Sequence, residues 1–327
     1  MKVKFLVIRF SSIGDIVLTT PVVRGLKQQV EGAEIHFVTK EKHALLLYGN
    51  PNIDKVHILQ EKITQLIDEL KQENFDYIID LHRNIRSGQI KRRLKVPSFT
   101  FDKLNIKKWV LVNLKVNQMP DSHLVDRYMK VLSVFDVQND SLGLDFYIPE
   151  DEEYPADQLP VGYSGGFVAI VIGGTYFTKR LPALKVAEIC TKIYYPVVLL
   201  GGNWEFETGE EIVKMVSGNV VNLCGKLSIY QSSSLIRQAR VVLTNDTGLM
   251  HIAAAFKKKV LSFWGNTVPA FGMVPYLPHP ASLILQVNNL KCRPCSKLGY
   301  NKCPRKHFRC MNGLNTEKAA DWVKFNF

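Results

Sequence analysis

The segment from Ala239 to Ala255 constrains the fold more than any other. The apolar run Ala239-Arg240-Val241-Val242-Leu243 reads as a buried strand, and Ala253-Ala254-Ala255 as helix. Between them run Thr244-Asn245-Asp246-Thr247-Gly248 and Leu249-Met250-His251-Ile252. A buried strand feeding directly into a helix is the building unit of parallel sheets covered by helices on both faces. The polar turn then lies at the carboxyl edge of the sheet, where open α/β folds bind ligands. Backbone N–H groups at Thr247 and Gly248 would face such a ligand, and the helix dipole favours an anion there. Gly248 has no Cβ to hold a phosphate away. A plain N-cap by Asp246 or Thr247 is the other reading of the same residues, and the two are compatible.

The same pattern opens the chain. Val3 to Phe10 is a strand-like apolar run, Ser11-Ser12-Ile13-Gly14-Asp15 is a small-residue turn, and Ile16, Thr20, Val23 and Lys27 recur at helical spacing, with Leu26 widening the apolar face. The dinucleotide fingerprint GxGxxG is absent. Asp15 is expected either as a helix-start carboxylate steadied by the dipole or as a general base at a sheet edge.

Strand and helix signals alternate along the rest. Strands are expected at Glu34–Val38, Lys55–Leu59, Phe75–Leu81, Phe167–Ile172, Pro196–Leu200, Val220–Leu223 and Val260–Trp264. Helices are expected at Ile63–Gln72, Asp126–Phe135, Ala183–Tyr194, Ile229–Gln238 and Thr316–Val323. The acidic, Pro- and Gly-containing stretch Pro149–Gly166 reads as a linker, giving domains of residues 1–155 and 156–327, with the last helix packing back on the first domain. The 327-residue length suits two α/β domains.

Glycine-ended strands recur in the second half, at Gly173-Gly174-Thr175, Gly201-Gly202 and Gly265-Asn266-Thr267. With Thr247-Gly248 they make an edge of bare backbone suited to a nucleotide diphosphate. Lys179 could neutralise a phosphate as a point charge, Glu205 could accept from ribose hydroxyls, and His251 lies one helical turn beyond Thr247. Each has an ordinary alternative: a solvated lysine, a surface acid, a core histidine.

The formal net charge is +12. From Arg83 to Lys115 there are ten basic residues against one acid, Asp102, and a second cluster runs from Lys291 to Arg309. A solvated face accounts for part of this; the concentration points to an anionic partner. No apolar run reaches the ~18–20 residues that span a bilayer, and no signal peptide is recognisable. A cytoplasmic location is expected, and disulfides are disfavoured there. Cys292-x2-Cys295-x7-Cys303-x6-Cys310 begins with a pair at zinc-ribbon spacing but its second pair lacks it, so a structural zinc, reduced thiols and disulfides all stay open. Cys190 and Cys224 read as core residues.

The pair of motifs Arg9-Phe10-Ser11-Ser12-Ile13-Gly14-Asp15-Ile16 and Asp246-Thr247-Gly248-Leu249-Met250-His251-Ile252-Ala253-Ala254-Ala255, in this order and separation, resembles the heptosyltransferases of glycosyltransferase family 9, among them the ADP-heptose:lipopolysaccharide heptosyltransferases. The resemblance covers nearly the whole chain. It implies a GT-B fold, two Rossmann-like domains with parallel sheets facing across a cleft, the acceptor on the first and the nucleotide-sugar on the second. It implies an inverting, metal-independent transfer with Asp15 as base. Lys179 and Thr247-Gly248 would contact the donor diphosphate and Glu205 the ribose, with Thr175, Asp246 and His251 also on the donor side. Ser12, Gly14, Arg83 and Arg86 would serve an anionic glycolipid acceptor. An enzyme of this kind would work from the cytoplasm, peripherally on the inner membrane, with no cofactor beyond an ADP-sugar donor. The rival readings are a nucleotide-sugar epimerase of the same fold, which needs a further acid–base pair, and a basic nucleic-acid-binding protein, which would need aromatics interleaved with the basic residues.

Overall fold

The computed structural model describes residues 2–327, the side chain of Ala156 excepted. It divides into two compact units. The first takes in the chain up to Leu104 together with Ser122–Tyr147; the second takes in Asn105–Asp121 together with Ile148–Phe327.

In the first unit the strands are β1 (Val3–Ile8), β2 (Ala33–Lys40), β3 (Lys55–Leu59), β4 (Tyr77–Asp80) and β5 (Ser98–Thr100), all parallel, in the order β3-β2-β1-β4-β5. Phe5, Leu6, Val7 and Ile8 of β1 are all fully buried, so the central strand has no solvent face. That explains its continuous apolar run. The chain order reverses between β1 and β4, and the loops that follow these two strands flank the switch point.

The second unit holds β6 (Val168–Val171), β7 (Val197–Leu200), β8 (Val220–Asn222), β9 (Val241–Asn245), β10 (Lys259–Trp264) and β11 (Leu283–Gln286), again parallel, in the order β11-β10-β9-β6-β7-β8. Successive residues enter different cores. Val168, Ile170, Val241 and Leu243 belong to one apolar cluster, and Ala169, Val171 and Val242 to another on the opposite face. Here the switch point lies between β6 and β9.

Four expectations need correction. The helix after β1 is two pieces, Ile13–Val17 and Thr20–Gln29. Pro21 has no N–H to continue a ladder and suits a first turn, and the hydroxyls of Thr19 and Thr20 bond the carbonyls of Ile16 and Val17 at the join. The expected helix Asp126–Phe135 is α-helical over Leu124–Met129 and then tightens to 3-10 over Lys130–Phe135.

The boundary falls before Ile148, because the acidic run is anchored to the second unit. Ser228 Oγ donates to Glu152 at 2.9 Å, and Ser234 Oγ and Arg237 both bond Glu153. These partners lie at the start and along the length of helix Ile229–Gln238. The last helix, Thr316–Asn326, packs within the second unit against Ala183–Ile193. Ala319, Ala320 and Val323 are buried in its core, and the Phe327 ring stacks on Tyr195 at 3.9 Å.

Candidate active site

In the first unit, Asp15 stands in the first turn of Ile13–Val17, after β1. Both its oxygens are held. Ser12 donates to Oδ2 from Oγ at 2.8 Å and from N at 3.2 Å, and Arg9 Nη2 reaches Oδ1 at 2.7 Å. Arg9 is fixed in turn. Its Nε donates to Ser11 O at 2.7 Å and its Nη1 to Leu81 O and the Tyr128 hydroxyl at 2.5 and 2.8 Å. Burial works against an Asp15 charge, but Arg9 and the Ser12 hydrogen bonds outweigh it and hold the carboxyl below its ordinary range. Asp15 is therefore an oriented, permanently ionised carboxylate at neutral pH. Ser12 acts on Asp15, and Gly14 is buried inside the short helix, its carbonyl accepting from Leu18 N at 2.9 Å. His43 and His82 lie within electrostatic range of Asp15. Burial, with nearby cations, pushes each down to about 4, so both are neutral at pH 7. The Nδ1 of each is buried without a partner.

Across the switch point, Asp80 ends β4 fully buried and carries four partners. His82 N and Arg83 N donate to Oδ1 at 3.0 and 2.7 Å; Ser87 Oγ donates to Oδ2 at 2.8 Å, and Lys91 Nζ reaches it at 2.9 Å. One carboxylate thus shapes the whole loop that carries the basic segment. Arg83 pairs with Asp102 at 3.0 Å in an exposed position, and Arg86 is exposed. Arg92, Arg93 and Lys95 are also exposed. Lys91 is not part of a free basic face, because it is engaged by Asp80 and by Thr100 Oγ1 at 2.8 Å.

In the second unit the loops after β6, β7, β9 and β10 assemble the expected donor edge. Thr247 is the N-cap residue of Gly248–Ala255, yet no side chain caps that helix. Thr247 Oγ1 is buried without a partner. Asp246 does not cap either: its Oδ2 takes Lys179 Nζ at 2.6 Å and Thr267 Oγ1 at 2.8 Å. The N-cap reading gives way to a helix start with an open first turn. A Cβ on Gly174 would stand 3.3 Å from Arg180 Cγ, 3.7 Å from Thr247 Cγ2 and 3.8 Å from Lys179 Cβ. Gly174, Lys179 and Thr247 are therefore one cluster, and a larger residue at 174 would crowd it. Thr175 is exposed beside it. Glu205 is 6% exposed and accepts from Gly202 N at 2.9 Å and Arg180 Nη2 at 3.0 Å. Each oxygen keeps a further lone pair for a hydroxyl donor. His251, one turn beyond Thr247, is 2% exposed.

Arg9, Asp80, Arg180 and Asn245 were not singled out as site residues from the sequence. Asn245 Oδ1 accepts from Leu181 N at 3.0 Å and its Nδ2 donates to the carbonyls of Ile172 and Gly173 at 3.1 and 3.0 Å, locking the glycine turn to β9. The signal available was positional for Arg9, Asp80 and Asn245, which stand at or beside strand ends; Arg180, in the connection after β6, carried no such signal. The six cysteines are free thiols, which removes the disulfide reading. Cys292 Sγ lies 3.9 Å from His307 Nε2, and Cys295 Sγ donates to Cys292 O at 3.1 Å. Burial, reinforced by neighbouring thiols, pushes Cys295 up to about 12; burial also takes Cys310 to about 11, leaving both protonated at pH 7.

Comparison with known proteins decides the family. Residues 63–301 match the model of glycosyltransferase family 9 (heptosyltransferase). The chain belongs to that family. Curated relatives include lipopolysaccharide heptosyltransferase 1 of Campylobacter coli, 23% identical over 81% of this chain and 84% of the relative. Another is lipooligosaccharide heptosyltransferase 2 of Haemophilus influenzae, 26% identical over 90% of this chain and 92% of the relative. Among solved structures, a family 9 glycosyltransferase from Veillonella parvula superposes with a TM-score of 0.79 at 20% identity, covering 100% of this chain and 99% of that one. The ADP-heptose heptosyltransferase II of E. coli gives 0.76 at 20% identity, covering 99% and 98%. The fold is thus that of the family 9, GT-B enzymes, and the protein is a glycosyltransferase. The epimerase and nucleic-acid readings are not favoured by these matches.

Proposed function

We propose that this family 9 enzyme moves a heptose from ADP-heptose to a lipopolysaccharide core acceptor, in one inverting step and without a metal at the diphosphate. The observation that carries the reading is the division of labour between the two sheet edges. One offers a clamped carboxylate, the other a lysine beside an uncapped helix start. Asp15 takes the proton from an acceptor hydroxyl as that oxygen attacks the anomeric carbon. The bond from that carbon to the diphosphate oxygen breaks on the opposite face, and ADP leaves with the electron pair. Lys179 and the N–H groups at Thr247 and Gly248 stabilise the departing charge, the task a divalent ion performs in metal-dependent transferases. Glu205 holds the ribose. Arg83 and Arg86 bind the acidic groups of the acceptor, bidentate where geometry allows.

On this reading the enzyme works at the cytoplasmic face of the inner membrane, reached peripherally through exposed bases such as Arg92, Arg93 and Lys95. No helix among the described residues is long and apolar enough to cross a membrane. The test is to incubate the enzyme with ADP-heptose and heptose-free core lipopolysaccharide in EDTA. The reading expects a mass gain of one heptosyl unit with inverted anomeric configuration. Activity lost in EDTA and restored by Mg²⁺ would remove the metal-free step; no heptosyl product with any core acceptor would remove the reading.

A further inference from the structure

A buried cluster in the first unit plays no part in this chemistry. His36 on β2 and His57 on β3 are 2% and 1% exposed, on neighbouring parallel strands. His36 Nδ1 lies 2.9 Å from His57 Nε2. The outer nitrogens are both taken by carboxylates: His36 Nε2 meets Glu34 Oε1 at 3.0 Å, and His57 Nδ1 meets Glu69 Oε1, from helix Ile63–Gln72. An ionised carboxylate can only accept, so each outer nitrogen carries the N–H. In neutral rings the two inner nitrogens then present lone pair to lone pair across 2.9 Å. Such a contact is repulsive unless a cation lies between them.

A third donor faces the same point. Glu73, just past the same helix, has Oε2 3.9 Å from His36 Nδ1, and ligand atoms of His36, His57 and Glu73 lie within 4.8 Å of one another. Tetrahedral zinc with ligands at about 2.0–2.1 Å sets neighbouring donor atoms about 3.3 Å apart, so the two spacings from His36 Nδ1, 2.9 and 3.9 Å, lie within about 0.6 Å of a zinc site, and the Glu73 carboxylate closes the remaining one, which is bounded at 4.8 Å. A carboxylate on the outer nitrogen is also the arrangement that orients metal-bound histidines and strengthens them as ligands. Lys55 and Lys4 approach Glu73, and Lys2 and Lys4 approach Glu34. They compensate Glu34 and Glu73 and leave the inner nitrogens untouched.

We propose that His36 Nδ1, His57 Nε2 and Glu73 Oε2 bind a divalent transition metal of the zinc class, a staple joining β2, edge strand β3 and the end of helix Ile63–Gln72. This site is separate from the diphosphate edge and takes no part in transfer.

Cobalt(II) is the probe, because its visible d–d bands report a tetrahedral site while thiolate ligation adds intense near-ultraviolet bands that imidazole and carboxylate do not. Titrating the full chain should give d–d bands without the thiolate bands, displaced by zinc. A free metal concentration a hundredfold above Kd should raise Tm by about 5–10 °C. Glu69→Gln should weaken binding about 10–100-fold, and Glu73→Gln and His57→Ala should abolish the bands, whereas Cys292→Ser should keep them. Circular dichroism of each metal-free variant separates loss of a ligand from loss of the fold. Absence of cobalt bands in the folded wild type, or bands indifferent to Glu73→Gln, would overturn the site; the histidine pair would then share a proton. Heptosyl transfer is assayed separately, so this failure and that of the proposed function are distinguishable.

Discussion

The two switch points of this molecule are built in opposite ways. In the first unit the edge consists of fixed charges: Asp15 is gripped by Arg9 and Ser12, and Asp80 by Lys91, Ser87 and two backbone N–H groups. In the second the edge consists of vacated backbone, with glycines at 173, 174, 201 and 202 and a helix start that no side chain caps. A parallel strand order is common to both, so topology alone does not set the chemistry of an edge. A carboxylate that must receive a proton needs orientation, which a buried arginine and a neighbouring serine supply. A diphosphate needs close approach to N–H groups, which side chains would block.

The comparison breaks most visibly at Asp15. Asp15→Asn should lower turnover by about 10²–10⁴-fold, while the ADP affinity of the second unit stays within about twofold. Steady-state kinetics and ADP calorimetry on one preparation check both, and a variant with near-wild-type turnover would remove Asp15 as the base. Lys179→Ala should act the other way round, raising the ADP Kd by about 10–100-fold through loss of a charged hydrogen bond. An unchanged Kd would mean that Lys179 serves only Asp246. Asp80→Asn should cost about 1–3 kcal/mol of stability and raise the acceptor KM, with donor affinity unaltered. Thermal melts and acceptor titrations separate these effects. The smallest change is expected at the exposed bases. Arg92→Ala with Arg93→Ala should reduce flotation with anionic vesicles by at most about 1 kcal/mol per charge, less at higher salt. Lys91→Ala should instead lower Tm, since that lysine is engaged by Asp80.

Much of the fold was legible. Buried parallel strands such as β1 and β9 read as continuous apolar runs, and their ends mark the ligand edge. Strands with little apolar content were missed, such as β5 (Ser98–Thr100), which is held largely by its pairing with β4. The linker was misread because Glu152 and Glu153 look solvated in sequence, while their partners Ser228, Ser234 and Arg237 lie some 80 residues away. Distance in sequence also hid Arg9, whose partners Leu81 and Tyr128 lie 72 and 119 residues away; Asp80, whose side-chain partners are local, was passed over because a charged residue at a strand end looks ordinary in a sequence. Asp15, Lys179 and Thr247-Gly248 were singled out because each lies in the connection that follows a strand-like run. Lys91 was counted in the basic run from Arg83 to Lys115 although it is engaged by Asp80, because a run of bases does not reveal which member turns inward.

The central claim, that Asp15 is the base, makes a direct demand on the pH profile of kcat/KM for the acceptor. A base acts deprotonated, and Arg9 and Ser12 hold the Asp15 carboxyl below its ordinary value, so its active form persists as pH falls. His43 and His82, each pushed down to about 4, also stay in one neutral form through this range. The account predicts that kcat/KM shows no acid limb from about pH 8 down to about pH 5. A single-proton acid limb centred between about pH 6 and pH 7 would assign the proton to a histidine and contradict it.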